Sequence, residues 1–297
     1  MNILITGGSG FIGQALVASL KSHHLTIVTR NKRKTSKRLG NGHEYIDSLQ
    51  GLTHLNGFDL VINLAGEPII AKRWSDKQKH EICHSRWDIT AKITALIQDS
   101  KTPPSCFISA SAVGFYGDHG DEMVDEHTPP KNEFSHQVCS TWEGLAIQAQ
   151  SDKTRVCVLR TGIVLGQHGG ALKKMVMPFH LGLGGPIGNG EQGMSWIHLD
   201  DLIKLIHFMI KNPAVHGIFN ATSPNPVSNK AFSQALGQAV NRPANLTMPT
   251  WALNILFGEM AQLMTQGQYV LPKRALEAGF NFKYGQLEQA LKDIYPD

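Results

Sequence analysis

The sequence predicts an α/β fold, a doubly wound parallel sheet with a smaller C-terminal lobe. Three observations carry that expectation. Short apolar runs alternate with amphipathic stretches through the first half of the chain, the rhythm of repeated strand–helix–strand units. The first apolar run ends in a glycine-rich turn that opens a helix. Beyond residue 223 the alternation stops, and Pro224, Pro226, Pro243, Pro249 and Pro272 punctuate short helical patterns.

Taken in order, Asn2–Thr6 reads as a strand and Phe11–Lys21 as a helix, with Ile12, Ala15, Leu16 and Leu20 on one face. Leu25–Thr29, Leu60–Leu64, Cys106–Ser109 and Val156–Arg160 read as further strands, with helices over 75–99 and 134–151 between them. An apolar helix over Leu202–Ile210 then leads into a last strand, Gly217–Ala221. Six glycines (Gly182, Gly184, Gly185, Gly188, Gly190 and Gly193) make 182–193 a loop, because glycine weakens the interior of either regular element. That loop reads as a lid facing the substrate. The expected division is a sheet domain over 1–166 and 196–222, with a substrate-side lobe over 167–195 and 223–297.

The bulk properties exclude more than they assign. The chain has 297 residues, 41% of them hydrophobic and 18% charged, with a net charge of +4. That is a globular composition, and the mild basic excess suits an anionic small molecule without singling out nucleic acid. Cys83, Cys106, Cys139 and Cys157 are widely spaced with no CxxC pair, which argues against a disulfide framework or a zinc knuckle. The opening MNILITGG lacks the regions of a signal peptide, and no apolar run approaches the roughly 18–20 residues of a membrane span. The expectation is a reduced, cytoplasmic protein with no membrane or nucleic-acid partner, and with a homodimer left open.

Thr6-Gly7-Gly8-Ser9-Gly10-Phe11-Ile12-Gly13 follows a strand and opens a helix, the context that gives a glycine motif meaning. Gly7 permits the tight turn, Gly10 lets backbone N–H groups approach a pyrophosphate, and Gly13 allows close helix–strand packing. The anion would lie at the helix N-terminus, against the N–H groups of Phe11 and Ile12. This is the fingerprint of a Rossmann dinucleotide site. A binder of NAD places an acid at the end of the second strand, whereas this chain has Thr29-Arg30 there. A guanidinium suits a 2′-phosphate, so the expected cofactor is NADP(H). The lysines and arginines that follow, from Lys32 to Arg38, read as a solvated basic loop.

Further motifs occur in sequence: Asn63-Leu-Ala-Gly-Glu67, Ser109-Ala-Ser-Ala-Val-Gly-Phe-Tyr-Gly117, Arg160-Thr-Gly-Ile-Val-Leu-Gly166 and Trp196-Ile-His-Leu-Asp-Asp201. The series resembles the extended short-chain dehydrogenases/reductases, the NAD(P)-dependent epimerase/dehydratase group. The tail, with Gly267-Gln-Tyr-Val-Leu-Pro-Lys-Arg274, resembles its atypical "epimerase family" branch with an uncharacterised C-terminal domain. The resemblance implies that Leu64, Ala65 and Gly66 line the cofactor at the end of the fourth strand. It places Glu81 and Arg86 on the next helix facing the same cleft, and Val164 beside the nicotinamide after the sixth strand. Leu64 and Val164 serve equally well as packing residues.

The family's chemistry uses a Ser and a Tyr-x-x-x-Lys, in which the lysine lowers the pKa of the phenol. Here Ser111 fills the serine place, but the other motif reads Cys139-Ser-Thr-Trp-Glu143, and no tyrosine lies between Tyr116 and Tyr269. A carboxylate raises a neighbouring thiol's pKa, so Cys139 and Glu143 are not equivalent to Tyr and Lys. Tyr116 is then either the acid/base or a structural tyrosine anchoring its loop. The expected function is an NADP(H)-binding oxidoreductase or nucleotide-sugar-epimerase-like enzyme acting on a small polar molecule, phosphorylated or a sugar nucleotide. The alternative is a non-catalytic NADP(H)-binding regulator. A third reading, a zinc hydrolase using His80-Glu81-Ile-Cys-His84, lacks a third ligand; no metal is expected. Trp196-Ile-His198-Leu-Asp200-Asp201 reads as a strand-to-helix junction in which an aspartate caps the helix.

Overall fold

A computed structural model describes residues 1–167 and 169–296; His168 and Asp297, inside the expected C-terminal lobe, lie outside the described residues. In chain order the elements are β1 (Asn2–Thr6), α1 (Phe11–Ser19), β2 (His24–Val28), α2 (Lys32–Leu39), β3 (Glu44–Ile46), β4 (Leu60–Asn63), α3 (Asp76–Gln98), β5 (Cys106–Ala112), β6 (Met123–Val124), α4 (Phe134–Ile147), β7 (Arg155–Thr161) and β8 (Ile163–Leu165). There follow α5 (Leu172–His180), β9 (Gly193–Met194), β10 (Trp196–His198), α6 (Leu199–Lys211), β11 (Gly217–Ala221), β12 (Val227–Ser228), α7 (Asn229–Ala239), α8 (Thr250–Phe257), α9 (Gln262–Thr265), β13 (Tyr269–Val270), α10 (Lys273–Glu277) and α11 (Leu287–Ile294).

Seven strands form one sheet in the order β11-β7-β5-β4-β1-β2-β3, and every pairing within it is parallel. The strand sequences explain why both faces are covered. Ile3, Ile5, Ile27, Ile62 and Leu159 turn to one side and pack with Leu16 of α1, Leu20 just past it, and Leu202 and Ile206 of α6. Leu4, Val61, Phe107 and Val158 turn to the other and pack with Ile93, Leu96 and Ile97 of α3 and with Ala146 of α4. Continuous apolar runs of this kind belong to strands buried on both faces. The order reverses between β1 and β4, and an open parallel sheet has its ligand crevice at such a point.

Of the elements that the sequence did not lead one to expect, two flank the outer end of the crevice. The basic stretch after Arg30 is the helix α2, with Asn31 as its N-cap accepting from the Lys34 N–H at 2.9 Å. It leads into β3, the edge strand, which was not anticipated. Only Thr35 of α2 is buried, so the helix carries no apolar period to read.

A second apolar cluster joins Leu172 and Phe179 of α5, Phe232 and Leu236 of α7, and Leu287 and Leu291 of α11 around the buried Trp196. Backbone groups fasten this part of the chain to the sheet. The fully buried Asp201 carboxylate accepts the N–H groups of Lys283 and Tyr284 at 2.9 and 2.8 Å, and Thr222 donates to the Val270 carbonyl at 3.0 Å. The cap of α6 is therefore not an aspartate. His198 caps it, its Nδ1 accepting from the Asp200 N–H at 3.1 Å, because Asp201 is turned inward.

Replacing Asp201 with Ala strands the buried N–H of Tyr284 and the part-buried N–H of Lys283. Chemical denaturation should show a loss of about 2–4 kcal/mol, since each buried unpaired donor costs about 1–3 kcal/mol. A loss below ~0.5 kcal/mol, the scale of an ordinary surface substitution, would contradict this fastening.

Candidate functional site

A cleft of about 380 Å³ opens along the carboxyl ends of the strands. Gly7, Gly10, Phe11, Ile12, Leu64, Gly66 and Val164 all line it, so the structure brings together seven of the residues expected from the sequence. Two glycines shape its floor. Gly7 has φ +70°, and a Cβ there would strike the Leu64 carbonyl group. A Cβ on Gly13 would collide with the Gly7 carbonyl oxygen. Gly10 donates to that same oxygen at 2.9 Å and stands as the N-cap of α1 without any side-chain cap. The first-turn N–H groups are thus left for an anion, favoured by the helix dipole. The opposite wall includes Pro68, Ala110, Thr161 and Gly162. Ala65 adjoins it, its N–H turned back to Asn63 Oδ1 at 3.3 Å.

At the outer end, Thr29 is buried and shares a hydrogen bond with Thr35 at 2.7 Å. Its hydroxyl is spent on positioning α2. Arg30 is exposed at the end of β2, with its guanidinium free for a ligand. The sequence reading passed over Arg38: α2 carries it back to the glycine turn, where Nη1 donates to the Ser9 carbonyl at 3.1 Å. Once α2 is recognised as a helix, that proximity follows.

The place of the acid/base pair is filled by a closed network. Ser111 donates to Glu143 Oε1 at 2.6 Å. Arg160 grips the same carboxylate with Nε at 2.9 Å and Nη2 at 2.8 Å, and both side chains are almost fully buried. Arg160 Nη1 also donates to the Tyr116 hydroxyl at 3.0 Å, which in turn donates to Asn220 Oδ1 at 2.7 Å. Of the two readings of Tyr116, acid/base and structural anchor, these contacts favour the anchor. The side chain is 0% exposed, it is absent from the cleft lining, and burial pushes its hydroxyl up to about 12. Ser111 sits where the serine was expected, but its proton is committed to Glu143. Cys139 is buried too, and burial followed by the Glu143 carboxylate pushes its thiol up to about 12.

Glu81 does not enter the cleft; it is half-exposed on α3, with Oε2 3.9 Å from Lys72 Nζ. Arg86 lies against Gly66, and its Nη2 donates to the Glu67 carbonyl at 2.9 Å. It braces the loop after β4, and burial lowers its pKa. The rings of His80 and His84 stack at 4.0 Å, with His84 Nδ1 held by Asp88. Among the described residues no third ligand joins them; the one group close enough for a metal is His198, Asp200 and Asp293, elsewhere in the chain. There His198 Nδ1 already accepts a backbone N–H, so a neutral ring carries its proton on the nitrogen that faces Asp293.

A parallel sheet with its switch point at a glycine turn, and an uncapped helix aimed across it, define a Rossmann-type nucleotide-binding protein. Residues 3–221 match the model of the NAD dependent epimerase/dehydratase family, and residues 248–294 that of a domain of unknown function. The chain belongs to that family. A chloroplastic SDR39U1 homolog of Arabidopsis thaliana is 40% identical over 99% of this chain and 86% of its own length. The crystal structure of human epimerase family protein SDR39U1 with NADPH superposes with a TM-score of 0.91 at 34% identity, covering 99% of each chain. That of a nucleoside-diphosphate sugar epimerase from Corynebacterium glutamicum gives 0.80 at 30% identity, over 99% of this chain and 58% of that one.

Removing the carboxylate by Glu143→Ala leaves Arg160 buried and uncompensated, so unfolding free energy should drop by about 3–5 kcal/mol. A variant within 1 kcal/mol of wild type in urea would show that the pair is not structural. Tyr116 yields a pH prediction. Its folded pKa is raised, so its stabilising contribution is complete below the unfolded value near 10 and is lost as pH climbs towards about 12. Urea midpoints measured from pH 9 to 12 should fall less steeply for Tyr116→Phe than for wild type; identical slopes would refute the assignment.

Proposed function

We propose that the cleft binds NADP(H) and that the chain acts on a small polar substrate held against the nicotinamide end. The observation that carries this reading is the uncapped N-terminus of α1 behind Gly7 and Gly10, with Arg30 instead of an acid just past β2 and Arg38 brought back by α2. On this reading Phe11 and Ile12 N–H groups hold the pyrophosphate. Arg30 and Arg38 hold the 2′-phosphate, and Thr29 positions α2 for them. Leu64, Ala65 and Gly66 adjoin the ribose, braced by Arg86, and Val164 backbone atoms meet the carboxamide. NADPH in the human relative supports the cofactor. When bound, NADP(H) supplies hydride transfer, and an oxidoreductase or epimerase-like reaction is the enzyme class proposed. The four free cysteines favour a reducing compartment such as the cytoplasm.

A second reading, a non-catalytic NADP(H)-binding regulator, draws on one specific observation: the Ser111–Glu143–Arg160 network leaves neither Ser111 nor Tyr116 free to move a proton.

Thermal-shift titration with NADPH, NADP⁺, NADH and NAD⁺ tests the binding claim. NADPH at 100-fold its Kd should add about 2.7 kcal/mol, and Arg30→Ala or Arg38→Ala should bring its affinity down towards that of NADH. Indifference to all four nucleotides would defeat the proposal. Loss of the NADPH absorbance band in a screen of polar and phosphorylated carbonyl compounds would favour the enzyme; none across the screen, with binding intact, would favour the regulator.

A further inference from the structure

Large apolar side chains left open to solvent gather in one region. Of eleven such side chains among the described residues, seven fall between Met177 and Leu256. Leu181 and Leu183 follow α5, at 71% and 55% exposure; Leu246 is at 54%, and Trp251, Ile255 and Leu256 of α8 are at 67%, 67% and 58%. Backbone hydrogen bonds hold these segments side by side: Leu246 N–H to Gly184 O at 3.1 Å, Met248 N–H to Pro186 O at 2.8 Å and Gly188 N–H to Met248 O at 2.9 Å. The last of these sets α8 beside the loop, since Thr250 begins the helix. Of the side chains on α8, only Leu253 is fully buried. An apolar patch this concentrated is uncommon on a protein that meets only water.

Within the segments that build the patch the charge has one sign; of the two acids that border them, Glu259 is paired with Lys79 at 2.6 Å and Glu191 closes the loop. No Asp or Glu occurs in 153–190 or in 202–258, and Lys173, Lys174, Lys230 and Arg242 are exposed there. Beside Leu246 a shallow groove is lined by Gln234, Gln238, Asn241, Arg242 and Asn245, amides and a guanidinium that suit phosphate-bearing headgroups. We infer that this face seats the protein on an anionic bilayer surface, with the leucines, Ile255 and Trp251 entering the interfacial layer and the cations meeting lipid phosphates. A second copy is the poorer occupant, because a two-fold interface would bring the same cations together across it. No helix among the described residues is long and apolar enough to cross a membrane; a protein that lies on the surface needs none. The inference is independent of the nucleotide reading.

The full chain should be pelleted with sucrose-loaded vesicles of phosphatidylcholine containing about 30% phosphatidylglycerol, but not with phosphatidylcholine alone, and raised salt should release it. Leu181→Glu with Ile255→Glu should abolish pelleting, and Arg242→Ala should weaken it about fivefold, the share of one cation near such a surface. These positions are exposed, so unchanged thermal melts will certify folding. Failure to pellet with anionic vesicles at low salt, or pelleting indifferent to the double variant, would overturn the inference. So would a dimer in analytical ultracentrifugation that the double variant makes monomeric, which would give the face to a second copy.

Discussion

The structure rests on a backbone-on-backbone approach that tolerates no side chain. Gly7 passes against the carbonyl of Leu64, and Gly13 against the carbonyl of Gly7. These contacts lay α1 close over β1 and β4, the pair at which the strand order reverses. A larger residue at either glycine would lift the helix. Its N–H groups would then point above the crevice instead of into it, and Leu16 of α1 would leave the sheet face it seals. Packing and ligand geometry are set here by the same atoms, and neither can be altered alone.

Much of this was legible in the sequence, for identifiable reasons. β1, β4 and β5 begin at the residues where their apolar runs begin, because strands buried on both faces need continuous apolar sequence. The cleft lining from Gly7 to Ile12 follows from a turn signature with local causes. What escaped depends on distance along the chain. The burial of Tyr116 is decided by Asn220, 104 positions away. Arg160 meets Glu143 across a separation of 17. One signal was available: among the strand runs expected from the sequence, Arg160 is the one charged residue, and a buried charge requires a partner. α2 escaped for another reason. It covers the sheet edge with a single buried threonine, so no hydrophobic period marks it.

The Glu143–Arg160 pair decides what the acid/base place can do. A lone cation beside a phenol would lower its pKa, which is how lysine serves tyrosine in the family's usual arrangement. Here a guanidinium lies 3.0 Å from the Tyr116 hydroxyl, yet the phenol is pushed up to about 12, not down. Arg160 does pull that value downwards, but less than burial raises it. Its charge is already met by a carboxylate held through two hydrogen bonds, so the pair is close to neutral as seen from outside. Such a pair stabilises a developing oxyanion far less than a free lysine would. On the proposed reading, the positive charge offered to the cofactor lies instead at the far end, on Arg30 and Arg38. The electrostatics favour holding a multiply charged cofactor by its adenosine end, and give little assistance to charge that develops beside Ser111.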